Sequence, residues 1–181
     1  MTFFLRLRHW ELFLMLVLPT VLCFMFSIPF RGLVIASIVL FVMIVLFAWM
    51  FSIGAWSNAQ LPPERRRGLL LFGAGLVLPI VYLLMFIILV MPVLESPTPP
   101  DQQPLWILPM HMLSMAGVFY GIWFTAKQFK SLQENEDADF LIFSSMFFLL
   151  FIFPFGVWIL QPSVNELYAK LDPASQFRDD G

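Results

Sequence analysis

Charge is what this sequence has least of. Asp, Glu, Lys and Arg make up 12% of its 181 residues, about half the share of a soluble domain. With 60% hydrophobic residues, 22 phenylalanines and a mean hydropathy of +0.87, a water-soluble fold could not bury its apolar surface, so the solvent must be a bilayer. A formal charge of −2 offers no field to attract nucleic acid. The single cysteine, Cys23, excludes an intrachain disulfide, and with only His9 and His111 beside it there is no Cys/His cluster for a metal. Leu22, not a small residue, precedes Cys23, which removes a lipoprotein reading. There is no GxSxG, HExxH, P-loop or GxGxxG, and no carboxylate pair lies near a histidine. The chain is therefore expected to be non-enzymatic and to carry no cofactor.

Long apolar runs are what it has instead. Five occur, at 12–30, 33–56, 69–94, 105–126 and 140–160, and none contains Asp, Glu, Lys or Arg. Each is close to or above the roughly 20 residues a helix needs to cross a bilayer. Continuous rather than alternating hydrophobicity excludes a barrel. The expected fold is an all-α membrane protein. It is one polytopic domain over residues 1–181: a bundle of five transmembrane helices kinked by Pro19, Pro79, Pro109 and Pro154, then a short polar tail over 161–181. The first run follows Arg6 and Arg8 as a signal peptide would, but "SIPFRG" offers no small-x-small cleavage site, so the run is expected to be retained. Trp10, Trp56, Trp106, Trp123 and Trp158 fall near the predicted ends, where indoles prefer the headgroup level.

Orientation follows from Lys and Arg near the span ends. Arg6, Arg8, Arg65, Arg66, Arg67, Lys127 and Lys130 share one side, against Arg31, Lys170 and Arg178 on the other. The first side is expected to be cytoplasmic, with the N-terminus inside and the C-terminus external. The acidic, proline-rich "ESPTPPDQQP" (95–104) is then an extended outer loop.

Buried ionisable groups mark most ion pathways, and the runs hold only His111, Tyr82, Tyr120 and Cys23 that can titrate. The missing carboxylate argues against coupled transport. His111, Ser114 and Tyr120 form a candidate polar seam on the fourth run, able to line a ligand path. The same His111 could instead be a neutral imidazole bonded within the bundle. Gly117 and Gly121, at GxxxG spacing, read as a helix-packing face toward another span of the chain or another copy.

"FPFGVWILQPSVN" (153–165) interrupts the last run with Pro154 and Gly156. A helix carried from 140 through a bend to Leu160 would be about 31 Å long, enough to cross. Gln161-Pro162 would then end it, because the residue before proline disfavours helix. The alternative is a re-entrant half-helix, which would move the C-terminus to the other side.

"LRHWELFL" (7–14), "SIGAWSNAQLP" (52–62), "HMLSMAGVFYGIWFTAKQFK" (111–130) and "FPFGVWILQPSVN" together resemble a family of uncharacterised bacterial integral membrane proteins. Its pattern is an HWxLF start, an NxxLP loop, an HxxSM…Y…AK helix and a PxGxWxxQPxxN ending. Phe155 and Ser163 stand where that pattern has Ile and Arg. The resemblance implies a bacterial inner-membrane location and no established activity. It also directs attention to His111, Asn58 and Asn165, although the expected topology puts Asn58 inside and Asn165 outside, in separate sites.

The sequence supports a structural or assembly partner packed through small-residue faces, whose partners are the lipid bilayer and a second copy or another membrane protein. The alternative is a passive permeation pathway or a small-molecule-binding bundle. A lipid-directed intramembrane enzyme would have only His111 for its chemistry.

Overall fold

The computed structural model describes residues 2–25, 31–94, 96 and 104–171. Except for Ser96 and Pro104, the expected outer loop at 95–104 lies outside the described residues, as does the tail beyond Leu171 with Pro173 and Arg178.

A short helix α1 (Phe3–Arg6) leads into α2 (His9–Met25). Glu11, in the first turn of α2, accepts a hydrogen bond from the Arg8 backbone N–H at 2.7 Å. The carboxylate thus closes an orphan donor and complements the helix dipole. Helix α3 (Arg31–Gln60) is followed by a 3₁₀ turn at Pro63–Arg65. Helix α4 (Leu69–Met85), a π-helical turn (Phe86–Val90) and α5 (Met91–Leu94) follow one another without a break. The wide turn has a local cause in Pro92: Met91 N–H reaches back to the Phe86 carbonyl, which makes room for a ring that would crowd a normal turn. Helix α6 (Ile107–Glu134) ends on Asn135, held left-handed at φ 56°, a conformation Asn tolerates better than most residues. Helices α7 (Phe140–Phe151) and α8 (Phe153–Leu171) complete the chain. No strand occurs among the described residues.

Three stretches are long and apolar enough to cross a membrane: Gly32–Gln60, Pro63–Val93 and Ile107–Glu134. Helix α2 is apolar but has 17 residues, about 25 Å of helix. The fifth run departs furthest from expectation, because it does not continue across as one bent helix.

At Ile152 the backbone leaves the helical region (φ −98°, ψ 54°) and the chain reverses. Helix α7 begins beside the end of α6, where the Ala138 N–H donates to Ser131 Oγ at 3.0 Å. Helix α8 finishes with Tyr168 5.5 Å from Trp56, near the end of α3, and beside Arg6. The two ends of 140–171 therefore lie at one end of the bundle, and Ile152 is the tip of a helical hairpin. The carbonyl of Leu149 occupies the space a Cβ on Gly156 would need, so only glycine permits this turn. Pro154 is not an interior kink. It is the second residue of α8, where its missing N–H costs nothing. Phe155 and Gly156 N–H both donate to the Ile152 carbonyl, at 3.1 and 3.0 Å.

Gln161-Pro162 does not end the helix either, since α8 runs through Pro162 to Leu171. Proline removes one backbone bond there, and the burial of Gln161 and Val164 outweighs that loss. Residues 161–171 thus belong to the packed helix instead of a polar tail. Pro19 and Pro79 sit inside unbroken helices, and Gly75, four residues before Pro79, leaves room for its ring. Pro109 is the third residue of α6, where no intrahelical partner is lost.

The core runs through Trp49, Met50, Ile53, Phe72, Phe124, Phe129, Met146 and Val157. Phe72 stacks on Phe124 at 4.1 Å between centroids. Gly117 meets Gly75 of α4 so closely that a Cβ on Gly117 would lie 2.5 Å from the Gly75 oxygen. Close backbone approach of this kind holds helices together where lipid removes the hydrophobic drive. Gly121 faces Leu76 and Met50, so the GxxxG face packs within the chain.

Candidate functional site: an apolar groove with a buried hydroxyl

The polar seam expected on α6 divides. His111 and Ser114 line a groove of about 310 Å³ with Pro79, Tyr82 and, from the tip of the hairpin, Phe151. Tyr120 turns away, toward Trp123 and Phe124, with centroids 5.5 and 6.2 Å distant, and takes no part. The groove lies where α4 and α6 separate beyond the Gly75–Gly117 contact. Met115 and Phe119 on its rim are 42% and 41% exposed, so it opens on the flank of the bundle.

Ser114 is 4% exposed and its Oγ has no hydrogen-bond partner among the described residues. A buried unpaired hydroxyl costs about 1–3 kcal/mol. His111 is exposed and meets the Tyr82 ring edge-on at 5.7 Å. It is not the internally bonded core histidine that the sequence allowed. The groove therefore presents wholly apolar walls, with the Ser114 hydroxyl just beneath them and the carbon edge of His111 on the lining.

A second polar place, missed from sequence, lies at the other end of the hairpin. Gln161 is fully buried. Its Oε1 accepts from Trp49 Nε1 at 2.7 Å, and its Nε2 donates toward Phe4 O and Leu7 O, both at 2.8 Å, and Asn165 Oδ1 at 2.9 Å. Asn165 Nδ2 also donates to Leu7 O, at 3.0 Å. This cluster satisfies the carbonyls at the end of α1 and fastens α8 to the N-terminal segment. Its chemistry is structural, because every polar atom of Gln161 is engaged. The signal was present: Trp49 is the one tryptophan far from a predicted boundary, and Gln161 follows directly on an apolar run. Asn58 and Asn165 now fall at the same end of the bundle, correcting the opposite sides expected for them, but they make separate bonds.

Gln128, on α6, is a further buried amide. It is 1% exposed, and neither amide atom has a partner among the described residues. Near the end of α8, Lys170 lies 2.7 Å from Glu166; its hydrogen bond, and then its charge, hold the Glu166 carboxyl below the usual carboxylate range. Among the described residues no three His, Cys, Asp or Glu side chains come together as a metal site.

Compared with protein-family models, curated proteins and solved structures, the chain finds no match, and the motif resemblance has no counterpart among them.

Proposed function

We propose that this chain is a non-enzymatic integral membrane protein whose α4–α6 groove takes up an apolar molecule or a lipid chain. The observation that carries this reading is the wholly apolar lining of a groove that opens on the flank of the bundle, with the unpartnered Ser114 hydroxyl just beneath that lining. Sites for small apolar molecules are concave and lined predominantly by hydrophobic and aromatic side chains. The assembly reading drew on the small-residue face of α6, and that face is already occupied by α4. A permeation path would need water at depth, whereas this groove opens sideways.

The same reading takes a bacterial inner membrane as the location, with the arginine-rich end in the cytoplasm. Lys170 joins that end, leaving Arg31 alone on the other among the described residues, so the charge bias supports it more strongly than before. Both described ends of the chain are then cytoplasmic.

Proteoliposomes carrying an acyl-chain diazirine would test the groove. Photolabelling should concentrate on residues 111–119 and on Phe151, and Ser114→Phe should abolish it there while leaving labelling elsewhere intact. Uniform labelling around the bundle, unchanged in Ser114→Phe, would reject ligand binding and return the chain to the assembly reading.

A further inference from the structure

The connection between α3 and α4 is short and tied down. Asn58, in the last turn of α3, accepts from the Arg67 N–H at 2.8 Å and donates to the Arg67 carbonyl at 3.1 Å. Pro62 and Pro63 fix the backbone between them. Arg66 turns back to cover the end of α3, with Nε donating to Leu61 O at 2.7 Å and Nη2 to Ala59 O at 3.0 Å. Arg67 lies over Trp123, its guanidinium carbon 5.2 Å from the ring centroid.

The third arginine is not satisfied in this way. Arg65 Nη1 is buried and has no hydrogen-bond partner among the described residues. Arg65 lines a cleft of about 290 Å³ together with Glu64, Arg66, Arg67 and Asp137. Asp137, from the turn between α6 and α7, is paired with Lys127 at 3.2 Å. A guanidinium cannot discharge itself by losing a proton, and leaving its donors buried and unpaired is costly. The cleft therefore sets three guanidinium groups against two carboxylates, one of them already paired with Lys127, and keeps an excess of positive charge. Phosphate oxygens match the guanidinium fork. Trp123 under Arg67 puts the cleft at the headgroup level, where basic pockets between helices take anionic headgroups. Its volume is at the lower end for ligand sites, suited to a headgroup more than to an extended molecule.

We propose that this cleft binds a phosphate-bearing anion, the headgroup of an anionic membrane lipid, through Arg65. The site is distinct from the α4–α6 groove and does not depend on it.

Native mass spectrometry of the full chain in micelles containing equal phosphatidylglycerol and phosphatidylcholine would test this. Wild type should retain phosphatidylglycerol preferentially. Arg65→Gln should weaken that retention about tenfold, the scale of losing a charge-assisted hydrogen bond, and Arg65→Lys should keep part of it. Lys170→Gln should change nothing, and Glu64→Gln, which removes a competing charge, should raise retention. A second arm uses inorganic phosphate. If phosphate raises the melting temperature of wild type but not of Arg65→Gln, and no lipid preference is seen, the phosphate chemistry holds with the free anion as its source. Equal phosphatidylglycerol retention in wild type, Arg65→Gln and Glu64→Gln, with no phosphate effect on melting, would overturn the proposal.

Discussion

Single residues decide how closely the backbones approach. Gly156→Ala would push a methyl into the Leu149 carbonyl, and overpacking of this kind costs about 1–3 kcal/mol. The variant should melt at lower temperature in detergent, whereas Phe155→Ala, at an exposed position of the same turn, should not. Gln128 gives the opposite expectation. With both amide atoms buried and unpartnered, its replacement by leucine removes an unpaid desolvation of about 1–3 kcal/mol. Gln128→Leu should melt at the same temperature or higher; a fall of several degrees would reveal a partner for the amide. His111 tests the character of the groove. Placed as the sole thiol, by His111→Cys in a Cys23→Ser background, it should react slowly with a membrane-impermeant maleimide from either side. Rapid reaction would mean an aqueous path and would favour permeation over apolar binding.

Among the elements, the hairpin of α7 and α8 shows why hydropathy alone is misleading. A run of about twenty apolar residues is compatible with one crossing or with two half-crossings. Three local features favour the second: Pro154 where a helix can start, Gly156 where the chains touch, and Gln161 where the returning helix can be held. The last of these is a tertiary effect. Gln161→Leu would leave Trp49 Nε1 without its acceptor and the Phe4 and Leu7 carbonyls without that donor, so α8 should loosen from α1. Amide exchange of residues 3–8 should then accelerate well beyond that of α3. Unchanged protection there would show that packing, not the glutamine, holds the N-terminal segment.

For the whole molecule, the reversal at Ile152 changes the topology. Single cysteines at Asp137 and at Glu166, each in a Cys23→Ser background, should label from the same side of oriented vesicles. Labelling from opposite sides would mean that 140–171 crosses the membrane and that the hairpin is wrong. The rest of the bundle is less sensitive to this outcome. Helices α3, α4 and α6 are joined through Phe51, Phe72 and Phe124 and through Gly75 and Gly117, none of which depends on the path of α8.

By itself the sequence determined the class of solvent, the helical character and the three longest apolar helices, because those follow from hydrophobicity summed over many residues. It also supplied His111, Ser114, Gly117 and Gly121 as residues of interest, since polar and small side chains stand out in an apolar run. What it could not decide was which neighbour each of them meets. Gly117 packs on Gly75, Tyr120 turns from His111, and Gln161 anchors α1 instead of closing a helix, all through contacts between residues distant in the chain. Local rules for proline read Pro154 as a kink and Pro162 as a stop. The tertiary structure reversed both readings: Pro154 opens a new helix after the chain turns at Ile152, where no backbone bond is lost, and the buried contacts around Pro162 outweigh the one bond it removes.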